Sequence, residues 1–93
     1  MGIFRFTEVM YQRIHEKIEV IGVYQRAKFK PVKFKWQQKI YHIKQINLVS
    51  DLKDGGIEKR MYSVQIADQV YRLVFDRQEE SWWLEEVWVD DGC

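Results

Sequence analysis

The residues able to do chemistry in this 93-residue chain are few and scattered. His15 and His42 lie too far apart in sequence to form a ligand pair with metal-binding spacing. Thr7, Ser50, Ser63 and Ser81 carry hydroxyls, but none sits in a local nucleophile motif. Glu85-Glu86 and Asp90-Asp91 are neighbouring carboxylates. On a strand, Glu85 and Glu86 point to opposite faces and so make no acid–base pair. Four carboxylates could hold a hard cation, yet the Asp-x-Asp-x-Asp-Gly order of an EF-hand loop is missing. Asp54-Gly55-Gly56 lacks the helix and basic residue of a phosphate loop. The expectation is a non-catalytic domain with no metal and no small-molecule cofactor.

Charge carries more. Residues 1–47 hold ten Lys/Arg against three Glu, a net +7; residues 48–93 hold five against eleven acids, a net −6. In the first half, Val32, Phe34, Trp36, Tyr41 and Ile43 alternate with Lys33, Lys35, His42 and Lys44. If the apolar set points inward, the basic set shares the outward face of two adjacent strands, flanked by Lys28, Lys30 and Lys39 and joined by Arg72 from a later strand. Such a ribbon could track a phosphate backbone by releasing counterions. Single-strand binding also wants exposed rings for base stacking. Strand parity turns the ribbon's own rings away from its lysines, leaving Trp83 and Phe29 as the exposed candidates. The bland alternative is a solvated lysine face that protects an edge strand from aggregation.

A second function class rests on SWWLEEVWVDD (81–91), which holds three of the four tryptophans. Trp83, Val87 and Val89, rimmed by Glu85, Asp90 and Asp91, could form a patch for a protein partner or a second copy. The acidic end of one copy could also meet the basic ribbon of another.

The elements that must position these residues read as mainly β. TEVMYQRIHEKI (7–18) suits a short helix over residues 7–17, with Thr7 as cap, Glu8 in the first turn, and Met10, Ile14 and Ile18 every four residues. Strand patterns follow at 18–25, 30–37, 39–49, 60–66 and 70–76. Pro31 marks a strand start, an edge or a bulge, and a bulge would explain why Phe29 is out of phase with Val32. Asp54-Gly55-Gly56 is the strongest turn signal, whereas Gln37-Gln38 sits at a tight turn without the usual Gly or Asn. Residues 82–89 fit a strand, with a helix capped by Ser81 as the alternative. The expected architecture is one domain (1–93). A short N-terminal helix precedes a five- to six-stranded antiparallel meander, curled into a small, partly open barrel. In it Trp82 and Leu84 face the core, and Trp88 joins them unless a bulge at Glu85-Glu86 shifts the phase.

Cys93 is the only cysteine, so no internal disulfide forms. The chain opens on no signal-peptide pattern and has no run long enough for an apolar membrane helix. A cytoplasmic location without membrane partners is the expectation.

The landmarks Pro31-Val-Lys-Phe34-Lys-Trp36, Tyr41-His-Ile43, Arg60-Met-Tyr62-Ser-Val64, Tyr71-Arg-Leu73 and Trp82-Trp-Leu84-Glu-Glu-Val-Trp88 resemble a small bacterial Trp-containing all-β domain family of unknown function. The resemblance spans about residues 18–90. Members are in some cases appended to translesion-type DNA polymerases, which implies a DNA-repair context. The chain departs from the pattern at Gln38, where members carry a turn Gly, and in lacking a Trp after the third strand. The resemblance implies no catalytic residue.

Overall fold

Alternation of polar residues with β-branched and aromatic ones drives nearly the whole chain into extended structure. The structure, a computed structural model, describes residues 11–89. Its strands are β1 (Tyr11–Gln25), β2 (Lys28–Trp36), β3 (Lys39–His42), β4 (Gln45–Asp54), β5 (Ile57–Ile66), β6 (Gln69–Asp76) and β7 (Ser81–Val89). They form one antiparallel sheet in the order β3-β2-β1-β7-β6-β5-β4.

The N-terminal helix expected over 7–17 is not formed: from Tyr11 onward this segment belongs to β1. Thr7, Glu8 and Met10 lie outside the described residues. A spacing of four serves a strand as well as a helix, because every second multiple of the two-residue period returns to the same face. Ile14 and Ile18 accordingly share the core side of β1. The central position of β1, between β2 and β7, gives its backbone ladder partners on both edges. That tertiary pairing outweighs the local helical pattern.

The barrel is also corrected. The sheet has seven strands and is not closed, because β3 and β4 are its opposite edges. The segment read as one strand over 39–49 changes partner in its middle. The Ile43 amide donates to Val32 O (2.9 Å) and the next amide, of Lys44, donates to Gln65 O (3.0 Å). The chain runs straight on from the β2 ladder to the β5 ladder, so β3 and β4 never fold back on each other. The sheet curls enough that these two adjacent amides reach β2 and β5 in turn.

Inside the curl lies a core of Ile18, Phe34, Tyr62, Val64, Tyr71, Leu73 and Leu84. Phe34 is fully buried, stacked on Tyr41 at 5.1 Å and met edge-on by Tyr71 at 5.5 Å. Trp36 covers the lower end, and its Nε1 donates to Glu16 Oε1 at 2.8 Å.

Two bulges set which side chains reach that core. In the β1–β2 ladder the register shifts at Gly22, opposite Pro31. Phe34 and Pro31 stay buried while Val32, expected inside, is turned out. A Cβ on Gly22 would run into the carbonyl oxygen of Lys30 and the ring of Phe29, so the bulge requires glycine. In β7 the register shifts at Glu85, with Leu84 opposite Leu73 and Glu86 opposite Arg72. Val87 therefore joins the core and Trp88 turns to the convex face, the phase change foreseen for a bulge at this point. The turn Gln37-Gln38 adopts positive φ at both residues (52° and 64°) without glycine, as the β2–β3 hairpin demands.

Candidate functional site

Three turns lie at one end of the sheet: Arg26-Ala27, Gly55-Gly56 and Arg77–Glu80. At this end β2 has lost its outer neighbour, because β3 stops at His42 opposite Lys33. The curl stays open here, and a cleft of about 440 Å³ enters it, lined by Tyr24, Ala27, Lys28, Phe29, Arg60, Tyr62, Phe75, Arg77 and Trp82.

Five of these residues are aromatic, and the register explains their meeting. The tight Arg26-Ala27 turn sets Tyr24 opposite Phe29, whose rings touch edge to face at 5.3 Å. From the facing half of the sheet, Phe75 pairs with both Arg60 and Trp82. Trp82 is the hub, with ring centroids 5.6 Å from Phe29, 5.5 Å from Tyr62 and 5.0 Å from Phe75. The Tyr62 hydroxyl donates to Phe29 O across the curl at 3.4 Å. Tyr62 is buried, Phe29, Phe75 and Trp82 are half-buried, and Tyr24 is 76% exposed at the rim. A ring this exposed is a free stacking surface rather than a core residue.

Three cations share the wall. Arg60 Nε donates to Asp51 Oδ1 at 2.7 Å and its Nη2 to Oδ2 at 3.3 Å, a two-point pair. Arg77 Nη2 lies 3.7 Å from the same carboxylate. One acid thus serves two guanidinium groups, and with Lys28 the cleft keeps a net positive charge. Arg60's hydrogen bonds, with its charge and that of Arg77, hold the Asp51 carboxyl below the usual carboxylate range against the opposing effect of desolvation. The same pairing pushes Arg60 upward. Arg77 is positioned by Asp76, which is 7% exposed and accepts the amides of Gln78 (2.9 Å) and Glu79 (3.0 Å). The amide of Arg77 itself bonds Glu58 O at 3.1 Å.

The residues singled out from the sequence are dispersed around this cleft. Lys33 and His42 face each other across β2 and β3, and Lys35 is opposite Ile40, all on the convex face. Lys28 and Lys30 continue that line of β2 toward the cleft. Lys39 is on the other face, its ammonium 5.3 Å from the Tyr41 ring centre. Lys44 sits at the crossing from β3 to β4. Arg72 lies on β6, separated from β2 by β1 and β7, and binds Glu86 at 2.6 Å with its guanidinium over Trp88.

The second candidate set does not share one surface. Trp83 is half-buried on the convex face, stacked on His15 at 4.7 Å, with Lys17 at 5.6 Å; its Nε1 donates to Ser81. Val87 turns to the opposite, core face, and Val89 follows it in phase. Asp90 and Asp91 lie outside the described residues. His15 Nδ1 lies 3.0 Å from the Glu85 carboxylate. Among the described residues no group of His, Cys, Asp and Glu could hold a metal ion.

Tyr24, Tyr62, Phe75, Trp82, Arg60 and Arg77 were not read as site residues from the sequence, which placed Trp82 in the core; of the cleft rings only Phe29 was named as an exposed candidate. Their signal was present but weak: aromatic or basic residues within a few positions of turns, at Tyr24, Phe29, Phe75, Arg77 and Trp82. Nothing along the chain says that those three turns share one end of an open curl. Comparisons with protein families, characterised proteins and solved structures find no match to this chain.

Proposed function

We propose that this domain binds single-stranded nucleic acid at the open end of the sheet. The observation that carries the reading is the cleft itself, where an exposed ring and four others line the same wall as three cations. A base stacks on Tyr24 and Phe29, and Lys28, Arg60 and Arg77 take the flanking phosphates. The strand then leaves along the β2 lysines, Lys30, Lys33 and Lys35. A flat basic face gives salt-dependent binding only; adding rings supplies the stacking that double-stranded nucleic acid cannot offer. The DNA-repair context implied by the family resemblance agrees with this reading and does not carry it. Protein contact through Trp83, Val87 and Val89 is the weaker reading, because the β7 bulge divides those residues between two faces.

The test is a salt titration of binding to a labelled single-stranded oligonucleotide. With three phosphate contacts, log K falls against log salt with a slope of about −2. Tyr24→Ala, a change at an exposed position, weakens binding by about tenfold or more at every salt concentration while leaving the slope and the melting temperature unchanged. No binding at low salt, or binding indifferent to Tyr24, overturns the proposal.

A further inference from the structure

The two edges of the sheet are built differently. β3 offers four residues, whereas β4 offers ten, and its outer edge has no ladder partner among the described residues. Long unpaired edges are templates for another strand, and proteins that avoid this use prolines, charged side chains, short edges or bulges within the edge. β4 is long and has no proline, and its charges, Asp51, Lys53 and Asp54, are confined to the half next to the Gly55-Gly56 turn, with Asp51 already held by Arg60 and Arg77. Its one bulge lies between Ile46 and Leu48, and from Leu48 to Asp54 it pairs residue for residue with β5. The same stretch exposes Leu48 (55%), Val49 (48%) and Leu52 (39%).

We infer that β4 is a self-pairing edge, through which two copies of this chain join their sheets antiparallel about a two-fold axis at Ser50. The register is chosen by chemistry. Leu48, Ser50 and Leu52 share the convex face, because they stand opposite Ser63, Met61 and Lys59 of β5. With the axis at Ser50, Leu48 faces the partner subunit's Leu52 and Leu52 faces the partner subunit's Leu48. Each leucine is shielded by the leucine opposite it, and the two pairs flank the Ser50 pair. Lys53 faces the partner subunit's Asn47 and Asp54 faces the partner subunit's Ile46, so no like charges oppose directly. Asp51 faces the partner subunit's Val49, its charge already met by Arg60 and Arg77 of its own chain. The contact is isologous, so it closes at two copies and does not propagate. β4 contributes no residue to the cleft lining and touches it only through Asp51, which holds Arg60 and Arg77.

Sedimentation equilibrium without nucleic acid provides the first test. The mass should rise toward that of a dimer as protein approaches millimolar concentration, and Leu48→Glu with Leu52→Glu should hold the chain monomeric without altering its circular dichroism. Cross-linking fixes the register, in a Cys93→Ser background. Ser50→Cys should form a disulfide dimer on mild oxidation, because residues on the axis lie directly opposite. Leu48→Cys alone should not, and Leu48→Cys with Leu52→Cys should. A monomer at all concentrations, a dimer indifferent to the two glutamates, or failure of Ser50→Cys to cross-link overturns the inference.

Discussion

The open-end cleft and the lysine face of β2 draw on the same residue types, aromatic and basic, and arrange them in opposite ways. Along β2 the two classes alternate, so Lys33 and Lys35 face solvent while Phe34 and Trp36 face the core. Where the two classes alternate along a strand they fall on opposite faces, because successive side chains point to opposite sides. The cleft escapes this limit by taking its members from five strands and the turns beside them. The rings and Arg60 share the concave face, while Lys28 and Arg77 come from beside the turns. A binding surface that combines stacking with charge therefore arises where a sheet ends and curls, not along its length.

The comparison can be broken at Gly22, which shapes the cleft and leaves the lower lysines alone. Gly22→Ala should cost about 2–3 kcal/mol of stability, since the new methyl meets backbone that cannot rotate aside. Chemical denaturation measures that loss, and residual oligonucleotide binding at a temperature where the variant is folded should fall with the displaced Phe29. Retention of both would show that the bulge does not hold the cleft.

Asp51 offers a sharper cut in the other direction. Asp51→Asn removes the acid that occupies Arg60 and Arg77, and binding should tighten several-fold, by about 1 kcal/mol. Acidification has the same sign. Because the folded carboxyl titrates below its ordinary value, the pair's contribution to stability is present at neutral pH. It is lost as pH falls through the lowered value, where both guanidinium groups become free for phosphate. Unchanged or weaker binding by the Asn variant would place the phosphates elsewhere.

The smallest effect is expected from the lysine face. Lys33→Glu with Lys35→Glu should weaken binding only about two- to fivefold at physiological salt, where exposed charges are screened over about 8 Å. A larger loss than that of Tyr24→Ala would reverse the ranking of the two regions and make the ribbon the principal site.

Much of the strand pattern was legible from alternation alone, as in Tyr62-Val64-Ile66 and Tyr71-Leu73-Phe75. The helix expected over 7–17 failed because Ile14 and Ile18 satisfy both periods, and only the pairing of β1 with two neighbours decides between them. The tryptophan strand was legible as far as Leu84. Beyond it, one extra residue at Glu85 exchanges Val87 with Trp88, and no local feature of that segment fixes where a bulge falls. Lys39 shows the same ambiguity at a turn, since the Gln37-Gln38 hairpin puts it opposite Trp36 and on the core side.

By itself, then, the sequence determined an antiparallel β domain with a ring-rich interior, an uneven charge distribution and no assembled catalytic motif. These follow from composition and from a two-residue period that each strand carries within itself. Tertiary structure alone decided where the sheet stays open, which edge is left bare, and that Tyr24, Trp82, Arg60 and Arg77 meet in one cleft. The physical reason is range. Alternation is written between neighbours, whereas bulges, curl and the switch of partner at Ile43-Lys44 depend on backbone groups far apart in the chain.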